Sequence, residues 1–207
     1  MNQFHLYNGS LTAEKFLFYE IRIASKYYIE GKTIEETIDI IRKDNLFQYP
    51  TERQVSRMAR ACYKRLDALS NEQLVHELAF APGEIARQIN LYAIMRYNRL
   101  VREFMVQVIG EKYRNQDFSF SRKDLNIFFA RLQEQNDSVA SWSENTVNKI
   151  KSVIVRMLTE TEYLDGIRAT TLNPVLLCEE LEQGIRANND YEALPAFNCF
   201  RQEAAQI

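Results

Sequence analysis

The chain has 207 residues, 46% of them hydrophobic, and a formal net charge of −2, which suits one large or two small globular domains. Its longest apolar run, Leu91 to Met95, falls far short of the roughly 20 residues that span a bilayer. The start MNQFHLYNGS lacks the basic and apolar regions of a signal peptide, so a cytoplasmic protein without membrane contact is expected. Three widely spaced cysteines, Cys62, Cys178 and Cys199, indicate reduced thiols, and six glycines with four prolines leave few turn formers, which predicts an all-α, multi-helix fold.

Met1 to Asn8 has no helical period; Phe4, Leu6 and Tyr7 are expected to pack as an extended arm. Thr12 to Glu30 reads as a long helix, with Phe16, Leu17, Ile21, Ala24 and Tyr28 inward and Gly31 as terminator. Lys32 to Asn45 follows as a shorter helix, capped by the Thr33/Glu36 box and buried through Ile34, Thr37, Ile38 and Ile41. After the connector Leu46 to Pro50, Thr51 and Gln54 open the next helix, whose apolar face is Val55, Met58, Ala59, Cys62, Leu66 and Leu69. Another face carries Arg53, Arg57, Arg60 and Lys64, with Gln54, Ser56 and Arg65 beside it. Two capped helices around an apolar connector, the second with a basic outer stripe, form the pattern of a helix-turn-helix variant; an ordinary helical hairpin with a solvated face produces it too.

Ser70 and Gln73 predict a cap for a helix ending near Phe80, and Ala81-Pro82-Gly83 breaks it. Glu84 to Gly110 reads as one long or two abutting helices forming a central spine, with Arg87, Arg96, Arg99 and Arg102 outward. Between Arg87 and Arg114 basic residues dominate, whereas from Glu160 onward acidic residues do. That asymmetry suits either an electropositive surface for phosphates or solvated helix faces.

Ser121 with Asp124 caps a helix running to about Gln135, and Ser143 opens another over Glu144 to Thr159. The latter sets Asn145, Lys149, Ser152 and Arg156 on one face, at the spacing of Arg53, Arg57, Arg60 and Lys64. Tyr163-Leu164, Asp165-Gly166 and Ile167 read as a small β-hairpin. Helix, helix, hairpin is the order of a winged helix-turn-helix, with Arg168, Thr170 and Thr171 on the wing; a three-helix bundle with an irregular connection fits as well. Asn173-Pro174 is expected to begin a last helix, and the acidic end covers the core through Leu194, Phe197 and Phe200. The chain thus divides into an N-terminal helical domain (1–80), a central spine (81–116) and a winged-helix-like domain with an acidic tail (117–207): two helix-turn-helix-like halves joined by a long central helix.

No catalytic constellation stands out: there is no glycine-rich phosphate loop, GxSxG elbow, HExxH or paired-cysteine metal signature. His5 and His76 stand alone, and Glu179, Glu180 and Glu182 read as a solvated face. No cofactor, metal or small-molecule substrate is implied, and a binding protein rather than an enzyme is expected.

Taken together, YNGSLT at Tyr7 to Thr12, NLFQ at Asn45 to Gln48, ARQINLYAIMRYNRLVREFMVQVI from Ala86 to Ile109 and WSENTVNKIKSVIVRMLTE from Trp142 to Glu160 resemble the BrxA family of bacteriophage exclusion (BREX) defence systems. The resemblance follows the same order over nearly the whole chain. It implies a small non-enzymatic component of an operon that methylates host DNA and blocks phage replication. It also implies a helical DNA-binding protein, and the family has been likened to an RNA-binding factor of the NusB type.

The leading expectation is therefore binding of double-stranded DNA. Arg53, Arg57, Arg60 and Lys64 engage phosphates, Gln54, Ser56 or Asn145 reach base edges, and Lys149, Ser152 and Arg156 form the second stripe. The alternatives are a scaffold that contacts other BREX proteins through its basic faces and acidic tail, and an RNA-binding factor.

Overall fold

The computed structural model describes residue 7 and residues 9–200; Phe4, His5 and Leu6 of the expected arm and residues 201–207 of the acidic end lie outside the described residues. Tyr7 does pack on the body, its hydroxyl donating to Glu103 at 2.6 Å.

The first long helix starts later than its pattern predicts. Gly9–Thr12 forms a 3-10 turn, and Leu17 takes left-handed angles (φ 54°) just before α1, Phe18–Ile29. The cause comes from distant parts of the chain. Arg65 donates to the carbonyls of Glu14, Lys15 and Phe16, and the Asn90 amide donates to Phe16 as well. Carbonyls held this way are diverted from the helical ladder. At the other end Gly31 (φ 73°) supplies the expected left-handed stop.

α2, Ile34–Lys43, carries the full Thr33/Glu36 capping box. α3, Glu52–Leu69, is N-capped by Thr51, which accepts from the Gln54 amide. Phe47 plugs the corner between them. Ser70, expected to cap the next helix, instead ends α3 with left-handed angles, and Asn71 caps α4, Glu72–Phe80. α3 packs against α1, α2, α4 and α5, Gly83–Tyr97.

The spine breaks at Asn98, which leaves helical angles (φ −117°, ψ 108°) and caps α6, Arg99–Phe104, through its side chain. Met105–Gly110 then widens into a π-helix before α7, Glu111–Arg114. At its end Gly110 admits Pro195, whose Cβ would stand 3.1 Å from any Cβ added there.

The arginines of the spine are not an open phosphate surface. Arg102 grips Asp190 with two bonds of 2.9 and 2.5 Å, Arg96 lies 3.7 Å from the same carboxylate, Arg99 pairs with Glu103 at 2.7 Å and Arg87 lies 3.8 Å from Glu162. Arg96 and Arg102 of the basic middle thus meet Asp190 of the acidic tail in a sheltered cluster, while Arg99 is paired within the spine itself.

In the C-terminal part, α8, Arg122–Gln135, has the Ser121/Asp124 capping box, α9 is the single turn Asp137–Ala140, and α10, Glu144–Glu160, is capped by Ser143. The hairpin expected at Asp165-Gly166 is not formed. Tyr163 and Leu164 are buried, and both their amides turn back to the Leu158 carbonyl. Extended pairing occurs instead between 170–172 and 118–120: Phe120 donates to the Thr170 carbonyl at 2.9 Å and Leu172 to that of Phe118 at 2.7 Å. This antiparallel bridge between Ser119 and Thr171 does not grow into a sheet among the described residues.

The last helix also starts late. Residues 173–178 are not helical, and Gln88 takes up the backbone of 176–178 as a neighbouring strand would, donating to Leu176 at 2.9 Å and accepting from the Cys178 amide at 3.0 Å. α11, Glu179–Ala187, packs on α4 and α5, and a 3-10 segment, Tyr191–Phe197, buries Leu194 and Phe197 while Phe200 stays 38% exposed. Buried apolar side chains from Leu11 to Phe197 form one continuous core.

Candidate nucleic-acid interface

α3 is enclosed on most sides, and its solvent line is the expected stripe with the exposed acids Glu52 and Asp67 at its two ends. Arg53, Arg57, Arg60 and Lys64 are exposed, one per turn, while Val55, Met58, Ala59, Cys62, Leu66 and Leu69 are buried. Arg65, read as a neighbour of that stripe, is instead buried: at 1% exposure it is part of the interior. Two other members are engaged. Arg60 pairs with Glu35 of α2 at 3.0 Å, and Ser56 accepts from Arg42 at 2.7 Å while donating to the Glu52 carbonyl. Gln54 is half-buried, its amide oxygen held by the Thr51 hydroxyl. Arg53, Arg57 and Lys64 have no carboxylate within ion-pair distance among the described residues and are the freest cations of this face.

α10 places Asn145, Lys149, Ser152 and Arg156 together on one exposed face, although Ser152 spends its proton on the Asn148 carbonyl. This face is a ridge between two depressions. On one side a hollow of about 340 Å3 lies against the N-terminal turn, with Thr12 and Lys15 as the far wall. On the other side a groove of about 1340 Å3 separates α10 from α8 and the 167–170 loop, and Arg122, Lys151 and Arg168 line it. Glu144 is the one carboxylate among the residues lining either depression, against six lysines and arginines. Periodicity finds the ridge but not its walls. Lys15, Arg122 and Trp142 join the site through tertiary packing, whereas Asn148 and Lys151 sit on the helical line of α10 next to the stripe.

Carboxylates act electrostatically on the surroundings of each stripe. Tyr49 donates to Glu20 at 2.5 Å; burial and that carboxylate push its phenol far above the ordinary range, against the pull of nearby Arg57. The Glu160 carboxyl, at the end of α10, is pushed up by burial and by Glu20, with Arg87, Arg156 and Lys15 opposing. Glu20 and Glu160 therefore lie within electrostatic range of one another.

Among the described residues, no three His, Cys, Asp or Glu side chains converge as a metal site, and no helix is long and apolar enough to cross a membrane. Cys62 is buried, which pushes its thiol up to about 12, well removed from a reactive thiolate.

Comparison with known proteins gives a consistent result. The BrxA family model matches residues 5–189. The BREX protein BrxA of Bacillus cereus (strain H3081.97) is 31% identical over 186 residues, 89% of this chain and 92% of the relative. The BREX protein BrxA of Paramagnetospirillum magneticum is 22% identical over 83% of this chain and 85% of its own. The crystal structure of an uncharacterised protein from Magnetospirillum magneticum shares the fold, with a TM-score of 0.80 at 19% identity, over 92% of this chain and 97% of that one. The chain belongs to the BrxA family of BREX phage-defence proteins.

Proposed function

We propose that the protein is a non-enzymatic, cytoplasmic DNA-binding component of its defence system, holding duplex DNA on the exposed faces of α3 and α10. The observation that carries this reading is the α10 ridge. Its polar face, Asn145, Lys149, Ser152 and Arg156, lies between walls that add Lys15 on one side and Arg168 on the other, with Glu144 as the only acid of the lining. A polyanion gains from every uncompensated cation it meets and from release of its own counterions. Lys149 and Arg156 serve as phosphate contacts, and Asn145 has the paired donor and acceptor that an adenine edge accepts. On α3, Arg53, Arg57 and Lys64 add phosphate contacts, with Arg60 available once Glu35 gives it up.

The order of elements supports the same reading. Residues 118–120, then α8, α9 and α10, then the return of 170–172 to pair with 118–120, follow an order that we read as winged-helix-like, with α10 as the reading helix and the 167–170 loop as the wing. The α2–α3 pair is the second helix-turn-helix-like unit. Binding of a labelled random-sequence duplex by the R53A/R57A/R60A/K64A and K149A/R156A variants, each checked for retained helicity, tests the assignment. Each variant is expected to weaken binding, and full affinity in both would remove it.

A further inference from the structure

α8 and α10 are consecutive long helices that do not close on one another. The direct polar tie between them is the bond from the Lys151 ammonium to the Asn126 carbonyl oxygen at 2.8 Å, and the same ammonium sits 5.3 Å over the Phe129 ring. Burial against this wall lowers the Lys151 pKa. The opening left between the helices is the groove of about 1340 Å3. Its apolar surface comes from Trp142 and Val155, both half-buried, and from Ile167, which is 64% exposed on the lip, while Leu125 and Val147 lie buried beneath it; Ser152 and Arg156 of the ridge form part of one wall. Basic residues, Arg122 among them, surround that apolar lining, and Glu144 is its single acid.

We propose that this groove docks an acidic amphipathic helix of a partner protein. Length and chemistry both fit. From Glu144 to Arg156 the groove follows α10 for twelve residues, about 18 Å at 1.5 Å per residue, which seats a helix of roughly three turns. Such a helix presents apolar anchors at i, i+3, i+4 and i+7 to the walls and acidic residues to the rim. The charge of the lining selects an acidic helix over a basic one. A phosphate backbone could answer the arginines, but it has no use for Ile167, Val155 and Trp142, whereas an amphipathic helix uses both. Covering an apolar lip that otherwise faces water is the driving force.

Trp142 lines the groove and is the only tryptophan in the chain, so its emission reports occupancy directly. The full-length protein is titrated with three synthetic probes: a fourteen-residue helical peptide with leucines at i, i+3, i+4 and i+7 and glutamates elsewhere, the same peptide with lysine for glutamate, and single-stranded oligothymidine. The glutamate peptide is expected to shift Trp142 emission saturably, and the lysine peptide and the oligonucleotide to leave it unchanged. The doubly substituted Arg122→Glu/Ile167→Ser protein, both changes lying at the exposed rim, is expected to bind the glutamate peptide at least about tenfold more weakly. No shift with the glutamate peptide, an equal shift with the lysine peptide, or saturation by the oligonucleotide alone would each overturn the proposal, the last by making the groove a nucleic-acid site. The groove shares Ser152, Arg156 and Arg168 with the face proposed for DNA, so the bound peptide and a duplex are expected to compete; duplex affinity of the peptide-free protein is read in a separate assay, and failure of the peptide to bind leaves the function proposed for the α3 and α10 stripes standing.

Discussion

The Arg65 guanidinium, on α3, donates to the Phe16 carbonyl at 2.8 Å, joining residues 49 positions apart inside the core. The neighbouring carbonyls of Glu14 and Lys15 accept from the same side chain, each at 2.7 Å. One buried cation thus replaces a turn of helix. Arg65→Met would leave three carbonyls without that donor, and a loss of about 3–5 kcal/mol in urea unfolding is expected. Arg65→Lys, with the charge but not the fork, should recover only part of it. An unchanged midpoint for the methionine variant would show that residues 14–16 hold their shape by other means.

That relationship also marks the boundary of what the sequence discloses. Helix starts are local, and Thr33, Thr51, Ser121 and Ser143 all cap where their spacing indicates. Departures occur where a distant side chain takes over backbone groups: Arg65 and Asn90 at residues 14–16, Gln88 at 176–178. The pairing partner of Thr171 is Ser119, not a near neighbour across a two-residue turn, so no local signal announces it. The same division holds at the candidate site. Four residues at helical spacing give the α10 ridge, but its walls depend on how far α8 and α10 splay, and periodicity carries no information about that. Composition revealed the charge asymmetry, whereas only the contact of Arg96 and Arg102 with Asp190 shows where those charges go.

The Arg102–Asp190 pair holds the tail to the spine. The side chains are 14% and 9% exposed, so removing one partner leaves the other largely out of water. Asp190→Ala is expected to cost about 3 kcal/mol, and to speed proteolytic cleavage around the Tyr191–Phe197 segment before the rest of the chain is cut. Cleavage at the wild-type rate would mean that apolar packing of Leu194 and Phe197 is sufficient.

Gly184 of α11 lies against α4, and a Cβ there would stand 2.6 Å from the Leu74 side chain. Leu74 is fully buried, so the helices must separate or the leucine must leave its rotamer. Gly184→Ala should therefore lower stability by about 1–3 kcal/mol, although alanine is the better helix former. A more stable variant in thermal unfolding would show slack at this contact.

Asp117 anchors the entry to α8. Its carboxylate accepts from Lys112 at 2.8 Å and from the Ser119 hydroxyl and amide at 2.6 and 3.0 Å, and these donors, Lys112 foremost, hold it well below its ordinary value of 3.8. A depressed acid stabilises the fold above its unfolded-state pKa, and this contribution disappears as pH falls through the folded value. Stability should accordingly fall below about pH 4, and Asp117→Asn should flatten that limb while changing little between pH 5 and 7 beyond a constant offset. An unaltered acid limb would assign it to other carboxylates.

The most direct test of DNA binding through the two stripes is the salt dependence of duplex affinity. Arg53, Arg57, Lys64, Lys149 and Arg156 are five exposed cations, and at a slope of about −0.9 per phosphate contact, log affinity should fall against log salt with a slope of about −4 to −5. The K149A/R156A variant should flatten this slope by about 2. Saturable binding with those slopes is the expected result; affinity indifferent to salt, or no binding at low ionic strength, would contradict it.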